Sequence, residues 1–146
     1  MNGAHLHLVV NHVSLFALLF GAVTLIVSMK QKSVDLRVLA TTLFVIAAVF
    51  GWVAFETGEK AEDVIKALGG NTETFISAHA QAAEWAFRSS ILVGILSIAT
   101  EWAIRKKKKF GKVLQWALLV FALHGCTVFA VTAMQGGKIS HTEVRD

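Results

Sequence analysis

Three stretches of this chain carry no charged side chain at all: Met1 to Met29, Val38 to Phe55 and Val113 to Gln135. At about 1.5 Å per residue, each is long enough to cross a hydrocarbon core of roughly 30 Å or to come within a turn of it. A lipid core offers backbone amides no water, so such segments satisfy their own hydrogen bonds as helices. A fourth helix is predicted from near Thr72 to about Arg105, with an uncharged interior from Ser89 to Thr100. With 55% hydrophobic and 16% charged residues, the 146-residue chain is too apolar for an ordinary soluble domain.

The connecting segments set a topology. Lys30 to Arg37 holds three basic residues against one acidic, and Arg105 to Lys112 holds six basic residues in eight. The positive-inside rule assigns both loops to the cytoplasm. Spans at about 4–29, 38–56, 74–104 and 113–135 then give a single domain, an up-down all-α four-helix transmembrane bundle with both termini outside. Between spans 2 and 3, Thr57-Gly58 is expected to end a helix. Ala61 to Leu68 then reads as a short amphipathic surface helix closed by Gly69-Gly70. The first segment has neither the basic start nor the cleavage site of a signal peptide and reads as a retained helix.

The pI near 9.5 comes from two loops rather than from a helix or sheet face, so topology accounts for it and nucleic acid is not an expected partner. One cysteine, Cys126, excludes an intrachain disulfide, and the chain lacks the Cys-x-x-Cys-His motif of covalent c-type haem.

Three of the six histidines lie in the first dozen residues. An unpaired polar group at the mouth of a membrane helix is costly unless it is wet, hydrogen-bonded or ligating. The topology places His5, His7, His12 and His79 at or near the outer boundary and His141 on the outer tail, with only His124 deep. His5 and His12, seven apart, share a helix face, while His7 points about 200° from His5. Because the first and third helices of such a bundle are diagonal, His12 or His5 facing His79 is the geometry of a bis-histidine b-type haem. His124 is a further haem candidate. A second reading groups His5, His7, His79, His141 and Glu143 as a zinc or copper site. A third takes the chain as a structural accessory subunit whose histidines merely hydrogen-bond and whose apolar faces bind partner helices or pigments. Glu56, Glu84 and Arg88 read as a structural ion network, the tryptophans as interfacial or packing residues, and Met134 as a remote thioether ligand.

The stretches His5-Leu-His-Leu-Val-Val-Asn-His12, Thr57-Gly-Glu-Lys-Ala-Glu62, His79-Ala-Gln-Ala-Ala-Glu-Trp-Ala86 and Gly136-Gly-Lys-Ile-Ser-His-Thr-Glu-Val-Arg145 resemble an uncharacterised family of small four-helix bacterial membrane proteins. The resemblance carries His5, His7, His12, His79, His141 and Glu143 onto matching positions but not His124. Ser14 and Ala80 stand where the family pattern has a proline and an acidic residue. It implies a bacterial inner-membrane protein and groups His141 with the other histidines, folded back through the Gly136-Gly137 turn. It implies no activity. With no nucleophile-base pair, phosphate loop or cysteine cluster, the chain reads as a haem-b electron-transfer subunit rather than a stand-alone enzyme. The expected partners are membrane lipids and a larger complex or redox partner at the outer face.

Overall fold

The structure, a computed structural model, describes residues 3–67, 72–141, 143 and 145. Four helices follow one another: α1 (Gly3–Gln31), α2 (Val34–Ala67), α3 (Glu73–Arg105) and α4 (Gly111–Ser140). All four are long and apolar enough to cross a membrane. The chain is a multi-pass α-helical membrane protein with the architecture of an antiparallel four-helix bundle. α1 packs on α2, α2 on α3 and α3 on α4, while α4 closes more sparsely onto α1. The short links after α1 and α3 enforce the alternation of direction.

Apolar side chains in lipid gain nothing by meeting one another, so membrane helices are held by close packing of small residues and by polar contacts. The interior follows that rule. Ala17, Ala22, Ala40, Ala47, Ala86 and Ala122 line the interface around Leu18, Leu25, Phe44 and Val93, all buried. Many of the other large apolar side chains, among them Phe20, Trp52, Ile95 and Val120, point outward. Serines are buried as well: Ser14 donates to Ala47 O across the α1/α2 interface at 2.8 Å, and Ser97 donates to Gly94 O in its own helix at 2.7 Å.

Two expectations need correction. The stretch after Thr57-Gly58 is no separate surface helix, since α2 runs unbroken to Ala67, while the expected closure at Gly69-Gly70 lies outside the described residues. Glycine costs only about 1 kcal/mol in a helix interior. Here the Thr57 hydroxyl bonds back to Val53 O at 2.8 Å, and Glu62 pairs with Lys66 at 2.6 Å, so the following turns hold. The 34 residues of α2 make a rod of about 51 Å, which overshoots a hydrocarbon core by several turns. Nor do Gly136-Gly137 form a turn. α4 continues through them to Ser140, and Arg145 then donates to Lys138 O and Ile139 O at 2.8 and 2.9 Å, covering carbonyls that the helix end leaves open.

Candidate functional site

Near the end of the bundle that holds the N-terminus, His7 of α1 and His79 of α3 meet across the interior. Their ring centroids are 6.3 Å apart and their planes nearly perpendicular, at 88°. Each ring is fixed by a backbone carbonyl from a helix next to its own. His7 Nδ1 lies 2.9 Å from Ala54 O on α2, with the Thr57 hydroxyl 3.4 Å away, and His79 Nδ1 lies 3.0 Å from Thr132 O on α4. All four helices therefore contribute to one polar node.

The carbonyls decide the tautomer. A carbonyl oxygen only accepts, so each Nδ1 carries its hydrogen, and in the neutral imidazole each Nε2 is left with a lone pair. This is the arrangement in which histidines hold metals, the second nitrogen being oriented by a hydrogen bond. Both rings line a cavity of about 30 Å³, together with Asn11, Phe87 and Phe129 among others. Phe87 stacks on Phe55 with centroids 4.7 Å apart, and Phe129 is buried, which keeps the deeper side apolar. Small residues let the rings in. A Cβ at Gly136 would stand 3.1 Å from His79 Cε1.

The other candidates lie elsewhere. His12 does not face His79: it is exposed, its Nδ1 2.6 Å from Leu8 O and its ring 6.4 Å from that of Phe16. With His7 turned inward, residues five positions on are rotated by about 140°, and His5, on the same face as His12, is exposed too. His124 is at mid-span on α4 but on the outward face, since Ala122, Gly125 and Phe129 make up the buried one. His141 is exposed and meets Glu143 at 3.0 Å, an exposed pair in the tail. The Glu143 carboxyl is held below its ordinary value by its own backbone N–H and by His141. Among the described residues, no three His, Cys, Asp or Glu side chains converge as metal ligands. Glu84 and Arg88 pair on the surface of α3, Glu56 accepts from Trp52 Nε1 at 3.1 Å, and Met134 is exposed.

Sequence reasoning overlooked the polar node at the opposite end. Glu101 of α3, 9% exposed, receives Arg37 Nε of α2 at 2.7 Å and Arg105 Nε at 2.6 Å. The available signal was a carboxylate one turn before a basic block, at i, i+4 from Arg105.

Fold and site together define a polytopic membrane protein with a paired-imidazole node at one end. Comparison of the chain with protein-family models, curated proteins and solved structures finds no match.

Proposed function

We propose that the chain is a metal-binding membrane subunit whose His7–His79 pair holds a single transition-metal ion, copper or zinc, near the outer face of a bacterial inner membrane. The observation that carries this reading is the pair itself: two imidazoles whose Nδ1 atoms each face a backbone carbonyl, which in the neutral tautomer leaves Nε2 as the free nitrogen, and whose rings line one small cavity. Two imidazole nitrogens sharing one ion at about 2.0–2.1 Å place their ring centres about 6 Å apart across it, against the 6.3 Å observed. Asn11 at the cavity wall offers an amide oxygen, and water completes a coordination shell. A bound ion supplies Lewis acidity if zinc and one-electron transfer if copper. The protein's own part is to orient the two rings through Ala54 O and Thr132 O and to bar water from the deeper side with Phe87 and Phe129.

The b-type haem reading keeps the axial separation but lacks the slot. Clefts for ligands of a macrocycle's size run to about 300–1,000 Å³, whereas the cavity that His7 and His79 line is about 30 Å³, with stacked Phe55 and Phe87 in its wall. The pairing of His12 with His79 has no support in the packing. Orientation follows from charge: the basic turns belong inside, so the histidine end and both termini are outside. The small size favours a subunit of a larger assembly.

The test is elemental analysis of the purified full chain, with a pyridine haemochrome assay on the same sample. We expect about one copper or zinc per chain, lost in His7→Ala and in His79→Ala and kept in His12→Ala and His124→Ala. A wild-type protein that is metal-free and takes up neither ion on titration overturns the proposal. Stoichiometric haem that depends on His79 would restore the haem reading instead.

A further inference from the structure

The two turns at the end of the bundle opposite the histidines concentrate charge. Of the chain's 14 basic residues, nine lie in or beside them: Lys30, Lys32 and Arg37 at the first, and Arg105, Lys106 to Lys109 and Lys112 at the second. Of its 10 acidic residues, only Asp35 and Glu101 do. We propose that this end is a docking surface for the headgroup of an acidic phospholipid, with Arg105 and the Lys106 to Lys109 turn as its centre.

The backbone gives this charge a definite arrangement. Among the described residues, the two non-glycine positions with positive φ are Lys32 (53°) and Lys107 (50°), one in each turn. Glycine or asparagine is the low-strain choice at such a position, yet lysine occupies both. Glu101 binds Arg37 from α2 and Arg105 from α3, which ties the two turns together and neutralises only part of their charge. Arg105 spends its Nε on Glu101 while its side chain stays 60% exposed, so most of its guanidinium remains within reach of a phosphate oxygen. Cations packed this closely repel one another unless anions come to them.

A lipid is the occupant because the patch runs directly into an apolar face. Ile95, Ile98 and Trp102 of α3 and Val113 and Trp116 of α4 are all exposed beside it. Lys108 Nζ stands 5.8 Å above the Trp102 ring, which sets that indole at headgroup depth with acyl chains below. A soluble phosphate would use the cations and ignore this face. Basic pockets beside membrane helices bind anionic headgroups, and each nearby Lys or Arg adds about 1 kcal/mol to attraction toward an acidic leaflet.

The experiment titrates the full chain in neutral detergent with phosphatidylglycerol or phosphatidylcholine of identical acyl chains, reading retained lipid by native mass spectrometry and thermal stability by circular dichroism. Phosphatidylglycerol should be retained and raise the unfolding temperature. The Lys106→Gln/Lys107→Gln/Lys108→Gln/Lys109→Gln variant should bind it about tenfold more weakly or worse, and Lys30→Gln/Lys32→Gln should weaken it less. Lys60→Gln/Lys66→Gln, at the far end, should bind as wild type does. Equal retention of the two lipids, or an undiminished preference in the fourfold variant, overturns the proposal. Displacement of the lipid by an equal concentration of glycerol 1-phosphate also overturns it, in favour of a free-anion site.

Discussion

Gly51→Ala is the substitution whose cost the structure specifies most directly. Gly51 of α2 lies against both α1 and α3, and a Cβ there would lie 2.5 Å from Ser90 Oγ, 3.3 Å from Ser90 Cβ and 3.2 Å from Ser14 Oγ. No unstrained Cβ contact is that short. Ser14 cannot give way without releasing its 2.8 Å bond to Ala47 O. Ser90 can turn only by leaving Phe87 O, its acceptor at 2.8 Å, inside a site with no solvent access. The remaining outlet is a shift of α2 away from α3, an overpacking penalty of about 1–3 kcal/mol. Adding Ser90→Ala removes the 2.5 Å contact and leaves those at 3.2 and 3.3 Å, so the double variant should recover more than half of the loss. The single Ser90→Ala change, which gives up a bond within one helix, should cost less than Gly51→Ala. Thermal unfolding of the four proteins in one detergent forms a double-mutant cycle with an expected coupling of about 1 kcal/mol or more. Additive effects, or a Gly51→Ala protein that melts with the wild type, would refute the close-approach reading.

At the basic end, Glu101→Gln removes the counter-charge from Arg37, whose side chain is 14% exposed, and should destabilise the bundle by about 3–5 kcal/mol; an unchanged unfolding temperature would show that Arg37 is solvated. In the tail, Glu143 titrates below its ordinary value because its own N–H and His141 favour the carboxylate. The carboxylate that accepts these bonds is therefore fully formed at neutral pH and is lost as acid takes the pH down through that lowered value, and a Glu143 titration by NMR at or above the ordinary glutamate value would contradict it. His79→Asn separates ligand from scaffold: the asparagine amide nitrogen takes the place of Nδ1 and still donates to Thr132 O, while Nε2 is gone. Stability should stay within about 1 kcal/mol of wild type while metal binding is lost, and retained metal would remove His79 from the site.

Much of the fold was legible because lipid imposes a coarse requirement. Charge-free runs and two short basic loops define four spans and their alternation, and tertiary contacts have little scope to revise that. The end of α2 was less legible, because Thr57-Gly58 has the composition of a stop. Whether it acts as one depends on the local competition between a glycine penalty of about 1 kcal/mol and a threonine that bonds back into its own helix. At the site, sequence spacing placed His5 and His12 on one face and His7 nearly opposite, but not which face turns inward. That choice is made by a seam on α1 that is mostly small or polar, Ser14, Ala17, Gly21, Ala22 and Ser28 being buried together with Leu18 and Leu25, and continuing its spacing of three and four toward the N-terminus reaches Asn11 and His7. In a soluble helix the inward stripe is marked by leucine and phenylalanine. Here those residues are largely outside, so the familiar cue is reversed.

The same reversal explains why polar groups gather at the two ends of this bundle. Small-residue packing lets helices approach but does little to fix their register, because one alanine contact resembles the next. Register comes from directional contacts: Ser14 to Ala47 O between α1 and α2, His7 to Ala54 O between the same pair, His79 to Thr132 O between α3 and α4, and Arg37 to Glu101 between α2 and α3. None of these ties α4 to α1, the sparsest of the four interfaces. An ion shared by His7 and His79 would join the α1/α2 pair to the α3/α4 pair across the diagonal, a constraint that neighbour-to-neighbour hydrogen bonds do not provide. On this argument metal binding should slow opening of the α1/α4 seam more than that of any other interface, and its effect should be greatest near the histidines.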